Sequence, residues 1–333
     1  MAIIDKPSDY FNTVLYTGNG SSQAITGVNF EPDFLWIKGR SGARNHSLFD
    51  IVRGNDKRII SNTTGAETTE TSVTSFDTDG FTLDSGTTSN TNGETFVAWN
   101  WLAGTSFTND ASATGIGSID SVGSVNETAG FSIVTYTAAG AVATIKHGLS
   151  SAPKMIFTKK LNGSPNWGVY YGDATDYLEL NTTAATQDDV NMWNDTAPTS
   201  SVFSVGGDNK SSGSGNYVAY CFAEKQGYSK FGSYVGNGST DGTFVYTGFK
   251  PAFFLWKQSS ASGQQWYMLD NKRNLFNPSN NFLQPSNSDA EYTGSSYPVD
   301  FLSNGIKIRN TSNHNNGSGA TYIYMAFAEN PFV

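Results

Sequence analysis

The chain has 333 residues and a formal net charge of −9, and only 15% of its residues are charged while 14% are aromatic. That acidic balance, with no Lys/Arg-rich tract, excludes the basic face a nucleic-acid partner requires, and no apolar run approaches the ~20 residues of a membrane helix, so no membrane insertion is expected. The single cysteine, Cys221 in YVAYCF, excludes an internal disulfide and reads as a small buried hydrophobe rather than a reactive thiol.

In chain order, the opening MAIIDKPSDY carries neither a basic nor an apolar signal segment, so no signal peptide is expected. Tyr10 to Tyr16 alternates in part and runs into Gly18-Asn19-Gly20, a strand ended by a turn. A proline, five residues and a lysine then bracket an apolar run, Pro32 to Lys38 (PDFLWIK), whose length fits a buried strand with the proline at its start. His46 follows, then Asp50-Ile51-Val52-Arg53-Gly54. FDTDGFTL (Phe76 to Leu83) reads as strand–turn–strand, and Phe96 to Trp101 (FVAWNW), apolar on both faces, as a strand central in its sheet.

The same order returns twice. PKMIFTK (Pro153 to Lys159) precedes YVAYCF (Tyr217 to Phe222), and PAFFLWK (Pro251 to Lys257) precedes YIYMAF (Tyr322 to Phe327). Proline and hexamer stand 64, 64 and 71 positions apart in the three copies (96 − 32, 217 − 153, 322 − 251). Trp167 and Trp266 occupy the place of His46, Tyr171 and Asp270 that of Asp50, FLSNGIKI (Phe301 to Ile308) that of FDTDGFTL, and Gly236-Asn237-Gly238 that of the first turn. Two unlike hexamers held at a near-fixed distance imply a repeated unit. The expected fold is all-β: three tandem antiparallel β-sandwich (jelly-roll-like) domains of eight or so strands at residues 1–104, 130–226 and 227–333. Residues 105–129, rich in Ser, Gly and Asn, read as a linker or an ordered hairpin excursion turned at Asp120-Ser121.

Catalysis leaves little trace. G-x-S-x-G, H-E-x-x-H and the phosphate-binding G-x-x-x-x-G-K-[ST] are all missing, so neither an enzyme nor a cofactor is expected. His46 aligns with two tryptophans and reads as packing; His147 falls in a turn and His314 in a polar loop. Asp77 and Asp79 are the best candidates for a metal, yet repeat three has Ser303-Asn304-Gly305 there, which suits a turn. Asp50 with Arg53, and Asp270 with Arg273, are candidate glycan contacts; the alternative is a structural ion pair. Polar loops precede each hexamer, at Thr87 to Thr95, Asp208 to Asn216 and Asn310 to Ser318. On the last, Asn310, Asn313 and His314 are further candidate glycan contacts.

The segments DYFNTVLYTGNG, PDFLWIK, ETFVAWNWLAG, APTSSVFSVG, NYVAYCFAEKQGYSKFGSYVGNG, VYTGFKPAFFLWK, MLDNKR and YIYMAFAENPFV together resemble repeat proteins encoded by tailed phages of marine bacteria. The resemblance spans nearly the whole chain and implies a virion structural protein of tail-fibre or receptor-binding type. It implies other virion proteins and a host cell-surface glycan as partners, a surface position on the particle reached by lysis without a signal peptide, and, by analogy with fibres, a homotrimer. Relatives continue past AFAE-x-PFV, so Val333 is expected to be a shortened end. A decoration protein stabilising the capsid or tail is the alternative, and a particle-associated polysaccharide depolymerase the least favoured.

Overall fold

The computed structural model describes residues 4–85, 88–295 and 297–331; Thr87 and Val333 lie outside them. The regular structure of the described residues is almost all antiparallel strand, in six sheets that divide as the sequence repeats do. A 3-10 turn (Pro7–Asp9) leads into repeat one: β1 (Phe11–Thr17), β2 (Gln23–Thr26), β3 (Phe34–Gly39), β4 (Ser47–Asp50), β5 (Gly54–Ile60), β6 (Thr68–Thr69), β7 (Val73–Asp77), β8 (Gly80–Leu83) and β9 (Thr95–Trp101). The large sheet runs β1-β9-β3-β4-β5-β6 and is faced by a small one, β2-β8-β7.

Repeat two follows with β10 (Thr105–Asn109), α1 (Ala111–Thr114), β11 (Ser121–Asn126), β12 (Phe131–Ala138), β13 (Ala143–Lys146), β14 (Met155–Lys160), β15 (Gly168–Tyr170), β16 (Asp176–Glu179), β17 (Gln187–Asp188), α2 (Val190–Trp193), β18 (Val202–Val205) and β19 (Gly215–Phe222). Its large sheet is β10-β11-β12-β19-β14-β15-β16-β17, faced by β13-β18. The 105–129 segment is thus an ordered hairpin that extends this sheet. Its arms pair Thr105 with Val125 through Asn109 with Ser121, and the chain reverses over 110–120 through α1, with Asp110 capping the helix, rather than at Asp120-Ser121.

Repeat three comprises β20 (Ser229–Val235), β21 (Phe244–Tyr246), β22 (Phe249–Gln258), β23 (Trp266–Asp270), β24 (Val299–Leu302), β25 (Gly305–Ile308) and β26 (Thr321–Pro331). Its sheets are β20-β26-β22-β23 and β21-β25-β24. Pro32 and Pro153 stand just ahead of β3 and β14, whereas Pro251 lies within β22 at a register shift, where a missing N–H is tolerated. Gly80 turns β7 into β8 with φ +146° and lies so close to the Ile25 carbonyl that a Cβ would sit 2.0 Å from its oxygen.

Each hexamer strand is central, as its two apolar faces require: β9 lies between β1 and β3, β19 between β12 and β14, β26 between β20 and β22. One face packs against the repeat's own small sheet. In repeat one Phe96 and Ala98 join Ile25, Val73 and Phe81; in repeat two Tyr217, Ala219 and Cys221 join Ile145 and Phe203; in repeat three Tyr322, Tyr324 and Ala326 join Val245 and Ile306. The other face enters one core common to all three repeats, holding Trp99 and Trp101, Tyr220 and Phe222, Met325 and Phe327. The last hexamer residues meet at its centre: the rings of Trp101, Phe222 and Phe327 form a triangle with centroid separations of 6.4, 5.7 and 6.1 Å. The three pairs of sheets therefore close into a ring about a shared aromatic interior.

Candidate functional site

The ring is sealed by bonds that repeat from seam to seam. The residue two after each motif lysine accepts a backbone bond from a neighbouring repeat: Leu161 from Glu67, Ser259 from Thr186 and Arg40 from Glu291, at 2.9, 2.9 and 2.8 Å. The residues at the His46 position also cross the seams. Trp167 Nε1 donates to the Ile60 carbonyl at 2.9 Å and Trp266 Nε1 to that of Glu179 at 2.8 Å. His46 lies by the Gln284 carbonyl, accepts from Trp36 Nε1 at 2.8 Å, and is held well below the usual histidine range by burial. Among the motif lysines, all fully buried, Lys38 Nζ donates to the Ser288 carbonyl at 3.2 Å and Lys159 Nζ to that of Thr64 at 2.8 Å, across their seams. Lys257 Nζ donates to the adjacent Gln258 carbonyl at 2.9 Å. Desolvation pushes all three down to about 8.

Burial corrects four of the candidate glycan contacts. The side chains of Asp50, Arg53, Asp270 and Arg273 are at most 2% exposed, which closes them to a sugar. Each aspartate holds its own repeat's arginine at 2.6 Å and a donor from the shared core: Asp50 accepts from Tyr220 at 2.7 Å, Asp270 from Trp99 Nε1 at 3.0 Å. Tyr220 and Trp99 are the same hexamer position. Repeat two has Tyr171 in place of the aspartate, and the remaining hexamer carries Met325, which has no proton to give. The structural ion pair is the reading these contacts fit.

The other candidates are placed by turns. Asp79 is exposed, but its carboxylate clamps the 27–29 loop, accepting from Gly27 N at 3.1 Å and Asn29 N at 2.7 Å. Asp77 accepts from Thr82 Oγ1 at 2.7 Å. No group of three metal-ligating side chains occurs among the described residues. His147 is buried and neutral, pushed down to about 4, and brackets its turn between Leu149 N and the Thr199 carbonyl. Cys221 is buried, and desolvation pushes its thiol up. Asn310 is buried, with its Oδ1 accepting from Ser312 N at 2.8 Å, whereas Asn313 is exposed. The loops before the hexamers turn their hydrogen bonding inward. Asn90 and Asn316, each six positions ahead of its hexamer, are fully buried and accept from Asn19 N and Asn237 N at 3.0 Å.

An aromatic recess lies in repeat three. The long segment 271–298 folds back along β23, bridging Met268 to Leu283 and Phe282 to Tyr292. It creates a cleft of about 320 Å³ whose walls include Tyr267, Phe282, Tyr292, Tyr297 and His314, at the small end of the ~300–1,000 Å³ of ligand sites. Phe282 and Tyr292 stack at 4.5 Å, Tyr292 and Tyr297 lie near-parallel at 6.2 Å, and His314 meets Tyr297 edge-on at 4.4 Å. Repeats one and two have Ser47 and Gly168 where β23 has Tyr267, and at Gly168 a Cβ would lie 2.0 Å from Met192 Cε, so no ring fits there.

A polar chain runs beside the rings. Asn287 Nδ2 donates to Gln284 Oε1, the Gln284 amide bonds the Tyr267 oxygen, and the Tyr267 hydroxyl bonds His314 Nδ1. With Nδ1 accepting, the His314 proton sits on Nε2, a tautomer assigned from this network, and burial lowers the ring's pKa. Glu291 is neutralised by two 2.9 Å bonds from Arg40 and one of 3.1 Å from Arg273. Asp289 is exposed and accepts from Asn287 Nδ2 at 3.0 Å. Of the sequence candidates, His314 alone lies on this cleft. The aromatic wall was signalled only by the 71-residue interval and the two tyrosines of EYTGSSYP.

No curated protein matches the chain. Residues 6–331, all three repeats as one unit, match the family described as Domain of unknown function (DUF7483), and the chain belongs to that family.

Proposed function

We propose that the chain is a non-enzymatic structural protein on the surface of a bacteriophage particle, serving host attachment as a tail-fibre or receptor-binding component. The setting rests on the resemblance of its segments to phage repeat proteins. The observation that carries a structural and binding role over a catalytic one is the use made of the reactive groups. The lysines, the Asp–Arg pairs and His46 at repeat-matched places are buried, and Lys38, Lys159 and the two aspartates are committed to the seams or the shared core. A ring with a polar exterior and an aromatic recess in repeat three suits attachment in many copies, where avidity replaces strong single sites. Its partners on this reading are other virion proteins and a glycan of the host surface. Mass spectrometry of purified particles is expected to find the chain, and Fab fragments against it to slow adsorption to host cells; its absence from particles overturns the reading.

A second role, decoration of capsid or tail, is favoured by Leu275 and Phe276, neighbours that stand 74% and 84% exposed at the edge of repeat three and offer an apolar contact to another particle protein. Labelled protein that coats bare capsids and ignores host cells selects this role.

A further inference from the structure

We infer that the cleft of repeat three is a saccharide site that takes the apolar C–H face of an uncharged pyranose. The inference deepens the attachment reading by naming the ligand class. Aromatic recesses serve two common ligand types, and the ring geometry separates them. A quaternary ammonium needs rings arranged around an empty cage. Here the rings pack on one another, Phe282 on Tyr292 at 4.5 Å and Phe282 beside Tyr297 at 5.4 Å, so no cage remains between them. What they offer is a platform. Tyr292 is 40% exposed and Tyr297 partly so. Such a surface matches the flat apolar face of a sugar ring, while the edge of that ring bears hydroxyls that need partners.

The cleft supplies those partners in complementary kinds. The Asp289 carboxylate, exposed and accepting from Asn287 Nδ2 on one oxygen, has acceptor positions for a pair of adjacent hydroxyls. His314 Nε2–H, its tautomer set by the Tyr267 bond, donates to a sugar oxygen. Glu291 carries two arginines, so it fixes the wall and leaves Asp289 as the cleft's open carboxylate. An acidic sugar would meet Asp289 as a like charge, which is why the ligand is uncharged.

The test uses the full chain and saturation-transfer NMR with methyl glycosides of glucose, galactose, mannose and N-acetylglucosamine, their disaccharides, and tetramethylammonium as a competing cation. At least one neutral glycoside is expected to receive saturation, strongest at its ring C–H protons. Tyr297→Ala is expected to weaken its binding about tenfold, the scale of one aromatic contact; Asp289→Asn weakens it comparably, and Tyr297→Phe restores the wild-type affinity. Thermal melts of each variant confirm the fold. The inference is overturned if no glycoside is saturated at millimolar concentration, if Tyr297→Ala binds as wild type, or if the cation displaces the sugar. A chain absent from particles that still binds sugar here leaves the site standing and removes the attachment role.

Discussion

At the scale of single residues, the buried charges set the chain's response to substitution and to pH. Asp50 sits between Arg53 and Tyr220, so Asp50→Ala removes the buried carboxylate from a guanidinium whose side chain is 2% exposed and leaves it only the partly exposed Glu67 as an ionic partner. A loss of about 3–5 kcal/mol is expected in urea unfolding. Tyr220→Phe removes the 2.7 Å bond to Asp50 and the 3.3 Å bond from Arg53 and should cost about 1–2 kcal/mol. Because both changes act on one carboxylate, the double variant should lose less than the sum. Lys38, Lys159 and Lys257, lowered by burial from 10.5 to about 8, bind fewer protons folded than unfolded between those values. Stability is therefore expected to rise as pH goes from about 8 towards 10, by on the order of 2 kcal/mol per lysine when fully realised. Tyr170 and Tyr324, raised from 10.0 to about 12 by burial, act oppositely: the unfolded chain loses those protons first, so stability falls again above pH 10. A urea midpoint that peaks near pH 7 would contradict this. Lys159→Met removes a desolvated ammonium but leaves the Thr64 and Pro165 carbonyls without their donor. Its midpoint at pH 7 should move little, while the alkaline rise shrinks by about a third, one of three comparable lysines.

At the scale of the strand, the hexamers hold the architecture because each lies at the centre of its sheet with a core on both faces. Ala219 is fully buried against the small sheet of repeat two, and Ala219→Asp is expected to cost about 4 kcal/mol or more, read as loss of soluble protein or a collapsed melting temperature. Much of this was legible in the sequence. Alternation in FVAWNW, YVAYCF and YIYMAF places apolar groups on both sides, which only a central strand tolerates, and the fixed spacing to Pro-x5-Lys marks the partner strand beside it. The destination of the second face was not legible. Alternation says that Trp99, Tyr220 and Met325 point away from the small sheet, but not that they meet residues more than a hundred positions away. The same limit applies to Asp50 and Arg53: the pair is visible as a local i, i+3 spacing, while its third member, Tyr220, comes from another repeat. It applies also to the cleft, whose wall comes from β23, a loop and the segment ahead of β26. His314 stands out in the sequence for its polar loop, whereas its partner Tyr267, 47 positions earlier, carries no mark of its own. Tyr16, Tyr136 and Tyr234 show the converse. Each stacks on the first hexamer residue at 5.1, 5.4 and 4.9 Å and donates to the backbone of the loop before it, a threefold regularity whose function lies within one repeat.

At the scale of the whole molecule, the common core decides how the chain folds and comes apart. Three beads on a string would each keep a private interior and melt separately. Here the centre is built from every repeat: Phe34 stacks on Tyr220 at 4.3 Å and Phe11 on Phe327 at 5.1 Å, so no sandwich can open without exposing rings of its neighbours. The seams add backbone bonds and buried lysines whose acceptors vanish when a repeat leaves. Three repeats reach within one chain the closure that a homotrimer reaches with three. Calorimetry should accordingly show one transition in which the van't Hoff and calorimetric enthalpies agree, as a single cooperative unit requires. Residues 130–226 expressed alone should leave Phe131, Met155, Phe157 and Phe222 facing water, an apolar face large enough to drive self-association. Ultracentrifugation is expected to find that fragment oligomeric or aggregated. A fragment that stays monomeric and melts at the temperature of the full chain, or a calorimetric trace resolved into three peaks, would mean that the shared interior contributes little and that each sandwich holds itself together.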